Sequence, residues 1–456
     1  MEMVAFRASG VLASSALGWM MRVAMVQLGC PKNWVDGEWM LGQVRAAGHE
    51  VTSDPDAEVV IVNTCGFIDA AKEESVNAIL EVAERKRLGK VKRLIVAGCL
   101  VQRYKDDLRQ SIPEIDGFIP LSSAGAVAGL LAHPDLAVPV TGDVALYDGL
   151  SPRILSTPPF MAYVKIAEGC DNPCSFCPIP TFRGRLHSRP ADDIVREIQQ
   201  LGASGVQEVL LVAQDTSDYG TDLGMKEGLA HLLRRLQADT EVPWIRLLYA
   251  YPNHLTDAVL EAMGSCPRLV PYLDLPLQHA HAGLLKSMKR GGGGAAFLKL
   301  IEKARAAVPG LAIRSTFIVG YPGEKREHFS ELLDFLKEAR LDHVGAFTYS
   351  REEGTGAYGM GDPVDRRTKI RRQEKLLEVQ QAISWEKNRA RVGQRLVVLV
   401  EGACEETEHL LQGRLATQAP DIDGRVLIND GFATPGTFAT VRITEAHPYD
   451  LVGEIV

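Results

Sequence analysis

Three short runs, VAMVQLGC (23–30), VVIVNTCG (59–66) and RLIVAGCL (93–100), repeat one design: an apolar, β-branched-rich stretch ending in cysteine with a glycine beside it. Uninterrupted apolar runs of this length fit strands buried on both faces. Between the second and third lies DAAKEESVNAILEVAERKR (69–87), a helical pattern with Val76, Ile79, Leu80 and Ala83 as its apolar positions. Strand–helix–strand alternation implies a parallel sheet with right-handed crossovers. All strands of such a sheet end on one edge, where ligands bind. Cys30, Cys65 and Cys99, 35 and 34 residues apart, are therefore expected to converge. A single strand-end cysteine is most simply a small buried hydrophobe. Three in the same local position point to a metal or cluster site. Zinc is the competing metal, although structural zinc sites usually offer close C-x2-C pairs and four ligands.

The chain has 456 residues, enough for about three domains on the length prior. Its eight cysteines are too sparse for a disulfide framework. Cys266 and Cys404 carry no motif and are expected to be buried or inert. No stretch approaches a membrane-spanning run. The segment VLASSALGWMM (11–21) is a weak signal-peptide candidate that flows into the first strand; residues 1–21 are expected to be a dispensable leader, with Met20 or Met21 as an alternative start.

A Pro/Ser-rich link, DGLSPRILSTPPF (148–160), precedes the central region. MAYVKIAEGC (161–170) is predicted to be a strand, and SRPADDIVREIQQLGASG (188–205) a helix with Pro190 near its start. Five more strand-like runs begin at residues 206, 244, 271, 311 and 343, with helices between them. Six βα units fit a partial (β/α)6 barrel, with the site at the loops after the strands. From about residue 392, QRLVVLVEG (394–402), GRVLIND (424–430) and GTFATVRITEA (436–446) suit a small antiparallel β-barrel. The fold class is α/β, divided as 22–147, 156–388 and 392–456.

The loop EGCDNPCSFCP (168–178) spaces Cys170, Cys174 and Cys177 as C-x3-C-x2-C. Iron–sulfur clusters normally take one thiolate per iron, so three leave one iron of a 4Fe-4S cluster open. This loop, at the end of the first strand of a six-unit barrel, resembles the radical S-adenosylmethionine (SAM) superfamily. The resemblance implies that SAM chelates the open iron and is cleaved to methionine and a 5′-deoxyadenosyl radical, with Phe176 flanking the cofactor. LGCPKNWVDGEWMLG (28–42), VNTCGFIDAAKEES (62–75) and VAGCLVQRY (96–104) resemble the N-terminal domain of the methylthiotransferase family, and residues from 392 its TRAM domain.

That family implies a second 4Fe-4S cluster on Cys30, Cys65 and Cys99, which carries the sulfur to be inserted, and two uses of SAM, as radical source and methyl donor. GCPKN, AQDTSDYG (213–220), LLYAYP and LPLQHA resemble the branch that modifies the β-carbon of an aspartate in small-subunit ribosomal protein S twelve. The other branch modifies an adenosine of tRNA. KRGGGGAAF (289–297) departs from the family, which has a proline-containing turn there. Expected SAM contacts are the strand-end positions Gln214, Gln278, Arg314, Gly320 and Gly323. Lys32, Lys165, Arg183, Arg185 and Arg314 are the cations available to a substrate carboxylate. The partners implied are ribosomal protein S twelve and an electron donor such as flavodoxin or ferredoxin, with no membrane and a monomeric enzyme. Reduced thiolates imply a cytoplasmic setting.

Residues 393–456 hold ten Asp/Glu and four Arg, a balance of −6 out of −8 for the chain. Phosphate binding draws on Lys and Arg, so an acidic barrel is a poor RNA platform. It suits a basic protein partner, with Asp421 and Asp423 among the charges expected to steer it. A solvated acidic face without a partner is the plain alternative. A zinc-stabilised RNA-binding scaffold is the reading from another class.

Overall fold

The computed structural model describes residues 20–142, 144, 146–404 and 406–456, with the side chain of residue 408 set aside. Residues 1–19 of the expected leader lie outside the described residues. The chain forms two compact units: the described residues up to Thr157 with Ala167–Asp171 and Pro178–Arg189, and the remainder, Pro158–Ile166, Asn172–Cys177 and Pro190–Val456.

The first unit is a five-stranded parallel sheet of β1 (Arg22–Gln27), β2 (Glu50–Val51), β3 (Val59–Thr64), β4 (Arg93–Gly98) and β5 (Gly117–Pro120), in the order β2-β1-β3-β4-β5. Its helices are α1 (Pro31–Ala46), α2 (Asp69–Arg87), α3 (Cys99–Ser111) and α4 (Val127–Ala132). The central positions of β1, β3 and β4 are apolar on both sides because both faces of the sheet are covered. Val60, Val62, Leu94 and Val96 join the core with α2 and α3, while Val59, Ile61, Ile95 and Ala97 join the one with α1 and α4. Each Val, Leu or Ile among them, fully buried, stabilises by roughly 1.5–3 kcal/mol. Leu80 differs from expectation and is 48% exposed. The buried arc of α2 runs through Ser75, Ala78, Ile79, Val82 and Ala83, and at about 100° per residue Leu80 falls outside it.

After β6 (Met161–Lys165), which belongs to the second unit, the chain returns to the first as β7 (Ala167–Glu168), α5 (Ile179–Arg183) and β8 (His187–Ser188), with β7 and β8 antiparallel. The second unit continues with β9 (Glu208–Val212), β10 (Trp244–Leu247), β11 (Leu269–Asp274), β12 (Ala312–Val319) and β13 (His343–Thr348). These five and β6 form one parallel sheet in the order β13-β12-β11-β10-β9-β6, the six-unit arrangement expected. The glycine run lies at the start of helix α6 (Gly294–Ala307), where Gly293 is the N-cap.

The C-terminal strands close a five-stranded barrel from β14 (Arg395–Cys404), β15 (Thr407–Leu415), β16 (Val426–Asp430), β17 (Phe438–Ala446) and β18 (Leu451–Ile455). Periodicity picked out three of these; β15 mixes His409, Gln412 and Arg414 among its apolar residues, and β18 is only five residues long with Gly453 at an inward position. The barrel meets the six-stranded sheet at the strand starts: Trp244, first in β10, lies 4.9 Å from the Phe438 ring, and Glu208, first in β9, pairs with Arg414 at 2.6 Å. Glu208 also pairs with Arg246 at 2.7 Å. Asp423 is not a surface charge. Its side chain is 0% exposed, accepts from Tyr272 Oη at 2.7 Å and lies 3.5 Å from both Arg314 Nε and His343 Nδ1. Asp421 is exposed. With Asp423 and Arg414 both internal, the barrel keeps its −6 balance, but the steering argument loses Asp423. Cys266 and Cys404 are buried, as expected.

Candidate active site

Parallel order places β1, β3 and β4 side by side, so the cysteines that follow them emerge on one edge. Cys30 is the N-cap of α1, with Pro31 in the first turn, and Cys99 is the first residue of α3. Pro is pre-organised for that position, and the positive end of a helix favours a thiolate. Cys65 donates its backbone N–H to Ser75 Oγ at 3.0 Å. The flanking glycines permit the convergence: a Cβ on Gly29 would lie 2.8 Å from Cys65 Cβ, and one on Gly66 would lie 3.0 Å from the Cys99 carbonyl.

The three thiols feel one another. Burial, then Cys99 and Cys30, pushes Cys65 up to about 12. Burial also raises Cys99, against the pull of Arg183. For Cys30 burial is outweighed by Lys32, Arg183 and the N–H groups of Asn33 and Lys32, and its thiol is lowered. Three soft sulfur donors gathered on one sheet edge, near enough for their thiolates to repel, suit a cation-bearing cluster.

In the second loop, Cys170 donates its N–H to Gly184 O at 3.1 Å in the first unit. In the second unit Cys177 N–H closes a turn on Cys174 O at 3.2 Å, and Phe176 between them is half-buried. Ser175 anchors this turn: its N–H donates to Met288 O (3.0 Å), its carbonyl accepts from Ala357 N–H (2.6 Å), and its hydroxyl meets Tyr321 Oη and Ser287 O, both at 2.9 Å. Arg290 Nη1 points at Cys174 Sγ at 3.5 Å, with Nη2 on Pro276 O at 2.7 Å and its guanidinium 4.1 Å above the Tyr251 ring. Asn172 donates to Asp215 at 2.7 Å, and Asp215 is also met by His254 at 2.9 Å. Burial of Asp215 is outweighed by His254, Ser217 and Asn172, which lower its carboxyl, and the same bond raises His254. Asp215, Asp218 and His254 also have ligand-type atoms within 4.8 Å of one another, but Asp215 is engaged in holding Asn172. Thiol donors with a cationic N–H aimed at one sulfur fit an iron–sulfur cluster here too.

The strand ends supply the rim. Gln214 follows β9. Gln278 follows β11 at φ 71° and is fixed to β12 by Gln278 N–H to Thr316 O and Ile318 N–H to Gln278 O, both 2.8 Å. Gly320 and Gly323 follow β12, where Glu324, accepting from the Gly320 N–H, pairs with Arg372 at 2.5 Å. Arg314 departs from the expectation of a strand-end residue. It is the third of eight residues in β12, bonded to Asp274 and Thr316 at 3.1 Å each. Burial disfavours its charge, but Asp274, Tyr272 and Asp423 outweigh that and keep it protonated.

Among the other candidate cations, Arg183 is 2% exposed and paired with Glu168 and Asp36, so it is removed as a substrate ligand. Lys32 and Lys165 are buried, while Arg185 is 89% exposed and pairs with Asp171 at 3.1 Å. Sequence reading missed Ser175, Asp215 and Arg290. Ser175 lies inside the cysteine motif and was open to notice; Arg290 is 116 residues from Cys174 and carries no local signal.

The sequence matches three family descriptions: uncharacterized protein family UPF0004 over residues 22–120, the radical SAM superfamily over 164–336, and the TRAM domain over 392–456. It is 48% identical over 444 residues to ribosomal protein uS12 methylthiotransferase RimO of Solibacter usitatus (strain Ellin6076), covering 96% of this chain and 95% of that protein. Against the protein of the same name from Myxococcus xanthus (strain DK1622) it is 50% identical over 434 residues, 95% of this chain and 91% of the other. Among solved structures, the radical SAM methyltransferase TsrM from Kitasatospora setae aligns with TM-score 0.55 at 13% identity, over 74% of this chain and 77% of that one, a likeness of fold. With six parallel βα strands, a C-x3-C-x2-C loop and near-full-length relatives at this identity, the chain is a radical SAM enzyme and belongs to the RimO family of methylthiotransferases.

Proposed function

We propose that this enzyme adds a methylthio group to the β-carbon of an aspartate in ribosomal protein uS12. The observation that carries this reading beyond radical SAM chemistry in general is the second thiol pocket, where Cys30, Cys65 and Cys99 meet on one sheet edge. A radical enzyme with the Cys170 loop alone would leave this triad unexplained. The reading assigns one 4Fe-4S cluster to that triad and another to Cys170, Cys174 and Cys177. Bound there, the clusters and two SAM molecules supply the one-electron chemistry, the sulfur and the methyl group.

The protein's own part is holding and excluding. Ser175, clamped by Tyr321, Ser287 and Met288, fixes the turn that carries Cys174 and Cys177. Arg290 offsets negative charge at Cys174. Phe176, Gln214, Gln278, Gly320 and Gly323 are assigned to the SAM rim. Arg314 is assigned to the wall beneath, since its charge is committed to Asp274 and Asp423. Arg185 is the accessible cation for the substrate carboxylate. The division 22–147, 156–388 and 392–456 is kept for the working parts.

A protein rather than RNA substrate accords with the acidic barrel. We place the enzyme in the cytoplasm as a monomer, reduced by a flavodoxin or ferredoxin; no helix among the described residues is long and apolar enough to cross a membrane. Replacing Cys30, Cys65 and Cys99 with alanine tests the reading. Iron in the anaerobically reconstituted protein is expected to fall from about eight to about four per chain, with SAM cleavage retained and uS12 unmodified. Unchanged iron would refute a second cluster at this pocket.

A further inference from the structure

Arg183 lies in α5, beyond the cysteine loop in sequence, and is almost wholly buried. Its Nη1 donates to both oxygens of Glu168 at 2.9 and 3.0 Å, and its Nη2 to Asp36 at 3.3 Å and Cys99 Sγ at 3.1 Å. Glu168 stands two residues before Cys170, and Asp36 is on the helix that Cys30 caps. One guanidinium thus touches a sulfur of the strand-edge triad, the helix that follows a second member, and the strand leading into the other cysteine loop.

The chemistry is selective. A buried guanidinium requires a carboxylate partner, and Glu168 supplies one, with both oxygens within reach of Nη1. The further N–H aimed at sulfur gains little from a neutral thiol, a weak acceptor, and much more from a thiolate. We propose that Arg183 is a positioning residue shared by the two cluster-binding segments. It fixes the Cys99 thiolate by a charged N–H···S bond and, through Glu168, fixes the backbone that delivers Cys170. This rests on the reading that both cysteines ligate iron.

The test uses the reconstituted full-length chain with Arg183→Lys and Arg183→Met. Each is made in two backgrounds, C170A/C174A/C177A and C30A/C65A/C99A, so that one cluster is observed at a time. The readouts are the rate of iron loss to a chelator, the midpoint potential followed by electron paramagnetic resonance, and the melting temperature. Lysine keeps the charge but lacks the planar fork that reaches carboxylate and sulfur together. Arg183→Lys is expected to accelerate iron loss about 10–100-fold in both backgrounds, the usual range for a lost partner of a metal ligand. In the C170A/C174A/C177A background the potential should also move negative, because a hydrogen bond to a ligand sulfur favours the reduced cluster.

If Arg183→Met does not fold, the lysine variant decides. A lower melting temperature with iron loss and potential unchanged would make Arg183 a plain structural ion pair and overturn the proposal. Acceleration confined to one background would overturn the shared role. If either parent background retains the iron of the unaltered protein, the cluster reading falls as well, and the parent measurement alone reveals it.

Discussion

Replacing Cys170, Cys174 and Cys177 with alanine is expected to abolish SAM cleavage, by on the order of 10³-fold or more, because residues that act as one unit are lost together. The fold should survive. Cys174 and Cys177 are only partly buried, and the turn that carries them is held by Ser175, through Met288, Ala357, Tyr321 and Ser287, rather than by sulfur. Methionine and 5′-deoxyadenosine released per chain, measured with dithionite as reductant, check the loss, and far-UV circular dichroism checks the fold. Persistent cleavage at even a tenth of the original rate would place the radical chemistry elsewhere.

The second large effect concerns stability. Asp423→Lys should destabilise the protein by about 3–5 kcal/mol, since it removes the buried carboxylate beside Arg314 and His343 and sets a second permanent cation against Arg314 in its place. It also takes the acceptor from Tyr272 Oη and from the Ala419 N–H. Glu445→Lys, at a side chain 65% exposed, should stay within about 0.5 kcal/mol. Denaturant unfolding of both variants distinguishes a charge that docks the barrel from one that merely faces water. Equal, small effects would mean that Asp423 contributes no more than a surface carboxylate.

That contrast shows where sequence reading stops. Charge counting treats Asp423 and Glu445 alike, because nothing local to Asp423 reveals that it lies against Tyr272 of β11 and Arg314 of β12, far earlier in the chain. The same limit applies to Arg183, which reads as a free cation and proves to be buried beside Cys99. Patterns that repeat along the chain were legible: strands with unbroken apolar centres, cysteines at their ends, six βα units. Leu80 failed because a helical face has a centre that spacing alone does not locate, β15 because polar residues interrupt its alternation, and β18 because it is short and turns a glycine inward. The cysteines were legible as a set because topology, not proximity in sequence, brings Cys30, Cys65 and Cys99 to one edge. Asp215 and Arg290, which help to hold the cysteine loop, are long-range partners and needed coordinates, whereas Ser175 lies within the motif itself.

The central claim, methylthiolation of a protein rather than an RNA, is tested most directly by offering both substrates at once. The reconstituted enzyme, with SAM and a reductant, is incubated with ribosomal protein uS12 and bulk tRNA, and each product is digested and analysed by mass spectrometry. The expected result is one uS12 peptide heavier by a methylthio group in place of hydrogen, localised to an aspartate, with tRNA nucleosides unchanged. Methylthiolated adenosine in the tRNA digest beside unmodified uS12 would contradict the account.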